Sequence, residues 1–599
     1  MLTQAQQLLK QYYGYSSFRP GQEQIIRSIL AGRDTLGIMP TGGGKSICYQ
    51  VPALLHQGLT LVVSPLISLM KDQVDALGAL GIPAASINST LTGTEVGRTL
   101  RDAENGRLRL LYVAPERLES EWFRERVREL NVAMVAVDEA HCVSQWGHDF
   151  RPSYTAIAPF LRSLPKRPIV AAFTATATPE VKHDIAGLLE LERPEIVITG
   201  FARDNLGLHI LRGENKRDYI TRYVQAHTHQ PGIIYAATRR EVEDVYEMLR
   251  KKGVAVGKYH AGMTDDERSA AQEAFLYDDI RVMVATNAFG MGIDKSNVRY
   301  VIHHNMPKNM EAYYQEAGRA GRDGEPGECI LLFGAQDILT QKFFIEQSQL
   351  SPERKSNEYK KLQSMVDFCY TPKCLRSAIL QYFGDVEGEE PCGTCSSCKD
   401  DRETVDITIE AQKIFSCIKR MRERFGISTV AGVLKGSAAK KILEYRFNEL
   451  PTYGVMRNQT EKEIADLINV LVAEGYLGLS EGQYPTVKLQ EGALEVLQGR
   501  VSVYQKVSRK PLAVSVGDDG LFERLRLLRK ELASRDKVPP YIVFSDSTLR
   551  EMSEQRPITA AEMLNVKGVG EAKFRSYGAD FLDAIQRWVG GERSAGSVV

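Results

Sequence analysis

Residues 39–46, MPTGGGKS, have the composition and spacing of a loop that holds a polyphosphate. A short apolar run, DTLGI, precedes them and a helical pattern, CYQVPALL, follows, so the glycines fall at a strand-to-helix turn. Gly42, Gly43 and Gly44 leave backbone N–H groups free to converge on phosphate oxygens at a helix N-terminus. Lys45 suits bridging the terminal phosphates of ATP, and Ser46 suits holding Mg2+. Met39 stands where the strict GxxxxGKS pattern has its first glycine, so the surrounding strand and helix carry the assignment. A second signal is VAMVAVDEAH, residues 132–141, an apolar strand that ends in two acids. Asp138 suits the metal and Glu139 suits orienting and deprotonating an attacking water, the division of labour that phosphoanhydride hydrolysis requires.

Two arginines complete this chemistry. In QEAGRAGRDG (315–324), Gln315, Arg319 and Arg322 stand at i, i+4 and i+7, which predicts one shared helix face, and Gly318 and Gly321 let that face approach another lobe. A guanidinium stays charged and donates bidentately to phosphate, so the pair reads as an arginine finger; either arginine is a candidate for the terminal phosphate. Upstream, YYGYSSFRPGQ (12–22) offers Tyr15 and Arg19 to sandwich a purine, and the amide of Gln22 to pair with adenine N6 and N7.

Other residues point to nucleic acid and to a metal. HCVSQWGHDFRPSY (141–154) follows the two acids directly and gathers Trp146, Phe150 and Tyr154 with His148 and Arg151, a base-stacking platform beside the water-activating group. Cys374, Cys392, Cys395 and Cys398 read C-x17-C-x2-C-x2-C, a four-thiolate set for a structural Zn2+, with Cys369 as the alternative to Cys374. With no ligand position open, this metal supplies folding energy rather than catalysis. Residues 413–446 hold nine basic residues against two acidic ones, a concentration suited to the backbone of duplex DNA.

These residues need a scaffold, and at about 150 residues per domain a chain of 599 residues makes roughly four units. Hydrophobic content of 43% with 25% charged residues is that of a folded globular chain and excludes a disordered polymer. Lys plus Arg and Asp plus Glu number 76 each, so a polyanion must be met by a local basic surface. No apolar run approaches the roughly 18 residues of a spanning helix, and MLTQAQQLLKQYYG lacks a signal core, which predicts a cytoplasmic protein with no membrane partner. Up to residue 340, short apolar runs alternate with helical patterns such as RREVEDVYEMLRKKG, the texture of parallel sheets covered by helices. A break at 199–215 divides two α/β lobes, 1–205 and 206–340. A helical zinc-binding unit (341–405), a winged helix (406–507) with the hairpin YLGLSEGQYPTVKL, a linker (508–520), a helical unit (521–590) and a frayed tail follow.

DEAH with FTATAT (173–178) and QEAGRAGRDG resembles the motif series of superfamily-2 helicases, and the RecQ branch matches best. The resemblance implies a multidomain α/β protein: two RecA-like parallel-sheet lobes, a helical zinc-binding domain, a winged helix and a small all-α HRDC domain. The HRDC part rests on KVPPYIVFSDSTLREM (537–552) and NVKGVGEAK (565–573), whose unit holds 12 basic against 10 acidic residues and so reads equally as a docking module. It further implies ATP-driven 3′-to-5′ unwinding of DNA in repair, recombination, replication and the SOS response, by a nucleoid-associated monomer. SPLISLMKDQV (64–74) and VMVATNAFGMGIDKSNVRYVIHH (282–304) resemble the strand-tracking and lobe-coupling elements, and residues 141–154 the DNA-sensing loop. The hairpin corresponds to the strand-separating wedge, with Tyr484 stacking on the terminal base pair. The implied partners are single-stranded DNA, duplex DNA and single-stranded DNA-binding protein. The alternatives are an RNA helicase, which needs no such zinc arrangement, and an ATP-switched annealing or scaffold protein, which needs neither Glu139 nor the arginines.

Overall fold

Strands in the first third of the chain are apolar at most positions on both faces, which a sheet accommodates only when helices cover both faces. The computed structural model describes all residues except 148, 291–294, 386–390, 400–403, 481–483, 507–519 and 596–599. His148, the linker up to residue 519, the hairpin tip Glu481–Gln483 and part of the lobe-coupling element therefore lie outside the described residues. Seven parallel strands form the first sheet: β1 Thr35–Ile38, β2 Leu59–Val63, β3 Ala84–Ile87, β4 Leu110–Val113, β5 Val132–Val137, β6 Ile169–Thr174 and β7 Glu195–Ile198, ordered β3-β4-β2-β5-β6-β1-β7. Alternate residues feed separate cores: Val135 and Val137 of β5 face one, Met134 and Ala136 the other. This is the period-2 geometry of a strand buried on both sides.

Six more parallel strands form the second sheet: β8 Leu206–Arg212, β9 Gly232–Tyr235, β10 Val256–Tyr259, β11 Val282–Ala285, β12 Tyr300–His303 and β13 Gly327–Phe333, ordered β10-β11-β9-β12-β13-β8. Between the sheets, Phe201 stacks on Phe383 at 4.6 Å and meets Tyr314 edge-on at 6.1 Å, and the Tyr314 hydroxyl donates to the Phe201 carbonyl at 2.9 Å. This aromatic hub joins the interlobe segment to the second lobe and to the helix Leu375–Tyr382 behind the first cysteine. The lobes and the cysteine-bearing helices consequently share a continuous apolar core, whereas residues 407–503 and 521–585 enclose cores of their own.

The 407–503 core is built by the helices Thr408–Arg420, Ile427–Lys435 and Glu461–Ala473, with the antiparallel pair Leu477–Leu479 and Val487–Leu489 beside them. Of the basic cluster at 413–446, Lys419, Arg420, Arg422, Arg424, Lys440, Lys441 and Arg446 are exposed. The C-terminal helices dock on the lobes: Gly568 N–H donates to the Gly14 carbonyl at 3.4 Å, Lys530 pairs with Asp279 at 3.3 Å, and Arg550 pairs with Glu325 at 2.5 Å. The last helix, Ala579–Ala595, extends into the segment read from sequence as a tail. Among the described residues no helix is long and apolar enough to cross a membrane.

Candidate active site

The loop after β1 is shaped by glycine where glycine is required. Gly42 and Gly44 have φ of +80° and +79°, and a Cβ on Gly44 would lie 2.4 Å from the Gln22 amide nitrogen. A Cβ on Gly42 would reach 3.3 Å from the Arg322 Cα, so the bare backbone is what lets the second lobe approach this closely. Lys45 opens the helix Lys45–Leu55 and its ammonium donates back to the Met39 carbonyl at 3.4 Å.

Gln22 braces the loop. Its amide nitrogen donates to the Gly43 and Gly44 carbonyls at 3.2 and 3.1 Å, and its oxygen accepts from the Arg19 N–H at 2.8 Å. Gln22 is 2% exposed, and both ends of its amide brace the phosphate loop. Arg19 likewise donates to the Gly42 carbonyl at 2.5 Å. Tyr15 and Arg19 line a neighbouring cleft of about 340 Å³ together with Arg203, Arg322 and, from the docked C-terminal helices, Thr548 and Lys567. It is Tyr13, held by Gln50 at 2.9 Å, that lines the cleft of Lys45.

The two acids emerge at the end of β5, the edge of a parallel sheet where ligands bind. Glu139 takes a left-handed φ of +47°, and Asp138 Oδ1 accepts the Glu139 N–H at 3.0 Å. The Tyr154 hydroxyl, fully buried, donates to the Asp138 carbonyl at 2.8 Å, so this tyrosine supports the acid strand instead of joining the aromatic platform. His141 Nδ1 lies 2.9 Å from Thr174 Oγ1 and 3.4 Å from Glu139 Oε2. Thr174 donates its own proton to the Thr176 carbonyl, so the proton of the shared bond sits on the histidine. Burial lowers the pKa of His141, which keeps the ring neutral as it links the end of β5 to the end of β6.

A cleft of about 380 Å³ opens between the lobes, and Thr41, Lys45, Ser46, Asp138 and Glu139 face Gln315, Arg319 and Arg322 across it. The convergence expected from spacing is there, but the helix that was to carry it is shorter. Met310–Ala317 is helical and supplies Gln315, whereas Arg319 and Arg322 lie on the hydrogen-bonded turns that follow. Gly321, at φ +56°, donates to the Val298 carbonyl at 2.9 Å, which turns the chain out of the helical path. A residue the sequence reading passed over ties the walls together. Arg203, in the interlobe segment, donates to the Thr41 carbonyl of the phosphate loop and to the Gly318, Ala320 and Gly321 carbonyls at 3.2, 2.9 and 2.8 Å. Burial lowers its pKa, and a guanidinium spending its donors on four carbonyls is an unusually rigid tie. The only local hint was an arginine set among apolar residues at a lobe boundary.

On the aromatic loop, Trp146 is 44% exposed, and Phe150 is covered by the guanidinium of Arg354 at 4.9 Å from the ring centroid. Arg151, expected beside the rings, instead donates to the Pro65 carbonyl at 2.8 Å and to Asp149 at 3.1 Å. The polar carbonyl and carboxylate outcompete the ring face, and the platform's arginine comes from the helix Pro352–Tyr370 of the next module. Tyr484, on the described flank of the hairpin, is 82% exposed.

The sulfurs of Cys374, Cys392, Cys395 and Cys398 lie within 4.8 Å of one another, with Cys392–Cys398 at 3.9 Å and Cys374–Cys395 at 4.0 Å. A Zn2+ at about 2.3 Å from four thiolates needs S···S edges of about 3.8 Å, so this donor set fits zinc. The Leu375, Cys392 and Cys395 N–H groups point at these sulfurs from 3.3–3.4 Å, as suits thiolates. Cys369 packs in the apolar core and takes no part.

Family models match almost the whole chain: DEAD/DEAH box helicase over residues 19–184, helicase conserved C-terminal domain over 215–324, RecQ zinc-binding over 335–399, RQC domain over 401–513 and HRDC domain over 518–585. The chain is 51% identical to ATP-dependent DNA helicase RecQ of Bacillus subtilis, across 98% of this chain and 99% of that one. It is 41% identical to the Pasteurella multocida protein of the same name, across 97% and 93%. It is 33% identical to ATP-dependent DNA helicase Q-like 4B of Arabidopsis thaliana, across 96% of this chain and 56% of that one.

Proposed function

The chain belongs to the RecQ family of ATP-dependent DNA helicases, and from that premise we propose how its residues divide the work. The observation that carries the proposal is the interlobe cleft, where Lys45, Asp138 and Glu139 of one sheet face Gln315, Arg319 and Arg322 of the other. Lys45 and the loop N–H groups bind the phosphates, and Ser46 and Asp138 would hold Mg2+, which would supply neutralisation of phosphate charge. Glu139 orients and deprotonates the water, with the His141 ring beside its carboxylate at 3.4 Å. Arg319 and Arg322 meet the charge that develops on the transferred phosphoryl group, which draws the lobes together; hydrolysis releases them. A strand gripped by both lobes advances with each closure, and the polarity implied by the family is 3′ to 5′. Trp146 and Phe150 stack bases, the basic surface at 413–446 binds duplex, and Tyr484 parts the terminal pair. The Zn2+ held by the four cysteines fixes the module between the lobes and the winged helix.

The cellular role in repair, recombination and replication, the contact with single-stranded DNA-binding protein, the monomeric state and the nucleoid location rest on the family resemblance. The test is Glu139→Gln. ATP affinity stays within about threefold while DNA-stimulated hydrolysis falls by about a hundredfold or more, the usual range for a lost general base. A variant that hydrolyses and unwinds tailed DNA duplexes normally overturns the assignment, and equal unwinding of RNA duplexes overturns the choice of DNA.

A further inference from the structure

Three parts of the protein that are far apart in sequence meet at one buried ammonium. Lys361, on the helix Pro352–Tyr370, is 9% exposed and donates to the Trp146 carbonyl at 2.6 Å. The same ammonium lies 3.5 Å from Oε1 of Glu311, in the first turn of the helix Met310–Ala317. Glu311 is 3% exposed; among the described residues its closest polar neighbours besides Lys361 include the Tyr382 hydroxyl, and neither carboxylate oxygen has a hydrogen bond of full geometry. Two turns back along the same helix, Arg354 covers Phe150 and donates to the Gln145 carbonyl at 3.3 Å.

The geometry points to Lys361 as a positioning residue that toggles between two acceptors, and so passes the state of the aromatic loop to the arginine turns. A buried carboxylate held only by the Tyr382 hydroxyl and an ammonium 3.5 Å away gains from a closer donor, and an ammonium has three, so a shorter Lys361–Glu311 contact is favoured as soon as the Trp146 carbonyl lets go. Glu311 sits one helical turn before Gln315, and Arg319 and Arg322 follow where that helix ends. Displacing the loop therefore transfers Lys361 to Glu311, and a stiff two-turn helix carries the shift to the cleft wall. This is a two-position element that both sites bias, the physical requirement for coupling. It rests on the reading above that the loop senses DNA and the arginines act on ATP.

The experiment uses the full-length, zinc-loaded protein with oligo(dT). ATP hydrolysis is measured with and without it, and Trp146 emission is followed in a Trp122→Phe, Trp588→Phe background. In Lys361→Met the ratio of DNA-stimulated to unstimulated hydrolysis falls about tenfold or more, within the usual span of coupling between sites. The Trp146 response to oligo(dT) persists, with half-saturation within about threefold, and Lys361→Arg restores at least part of the ratio. Glu311→Gln lowers the ratio in the same way, and combining it with Lys361→Met adds less than about a twofold further loss, as expected for one shared interaction. A stimulation ratio unchanged in Lys361→Met, while Trp146→Ala loses it, overturns the toggle and leaves the helicase reading standing. Loss of both stimulation and the Trp146 response in Lys361→Met also overturns it, because the lysine then merely holds the loop. Full stimulation in Trp146→Ala overturns the DNA-sensing role of the loop and the toggle with it. Zinc content and thermal unfolding identify a misfolded methionine variant, in which case the isosteric Glu311→Gln decides: a normal ratio there overturns the toggle.

Discussion

The cysteine cluster draws its four sulfurs from residues 374–398 of one module, with three N–H groups of the same segment pointing at them. The nucleotide cleft takes Lys45, Asp138 and Glu139 from one sheet and Gln315, Arg319 and Arg322 from another, and among the described residues the buried Arg319 Nε has no hydrogen-bond acceptor. A buried donor without an acceptor calls for an explanation, and in this cleft a phosphate oxygen supplies one. The first site is complete in a single arrangement and stores folding energy; the second is complete only when the lobes approach a ligand. Stability belongs to the one and turnover to the other, and substitutions should separate the two.

Cys392→Ser should have the largest effect. Structural zinc contributes on the order of 10 kcal/mol where it is bound, so metal content should drop from about one Zn2+ per chain toward zero and unfolding should shift to clearly lower denaturant. Full metal occupancy at wild-type stability would break the contrast from this side. Arg319→Ala and Arg322→Ala should act in the opposite sense. The arginine that serves as the finger should lose about a thousandfold in DNA-stimulated hydrolysis, a contribution typical of arginine fingers, with ATP binding and unfolding little changed. A pair of variants that both melt early and bind ATP poorly would show that these arginines are structural. Arg203→Ala should be smaller and intermediate in kind. Removing a tie to four carbonyls that positions reacting groups should lower kcat by about a hundredfold while KM for ATP moves less than about threefold. A change confined to KM would mean that Arg203 serves binding and not alignment.

The sequence displayed the phosphate loop, the acid pair and the cysteines because each is a local pattern whose chemistry depends on its immediate neighbours. Gln315, Arg319 and Arg322 reached the same cleft wall, although the helix that justified their grouping stops at Ala317 and glycine turns complete the path. The Gln22 amide had two candidate acceptors, a purine edge or the Gly43 and Gly44 carbonyls, and only the folded loop shows that the carbonyls lie within its reach. Arg151 and Arg354 exchanged roles for a similar reason: the arginine over Phe150 comes from a helix some two hundred residues away in sequence. Arg203 and Lys361 carry no local signature, since each matters through carbonyls that distant segments bring to it. The docking of the C-terminal helices on Gly14 was equally silent, as near-neutral charge and a Gly-Val-Gly turn say nothing of their target.

The claim beneath all of this is that DNA and ATP act on one closing cleft. Steady-state hydrolysis by the purified full-length chain, titrated with single-stranded DNA, tests it most directly. The expected result is a saturable rise of about tenfold or more that Glu139→Gln abolishes. A rate that is the same with and without DNA would contradict the account.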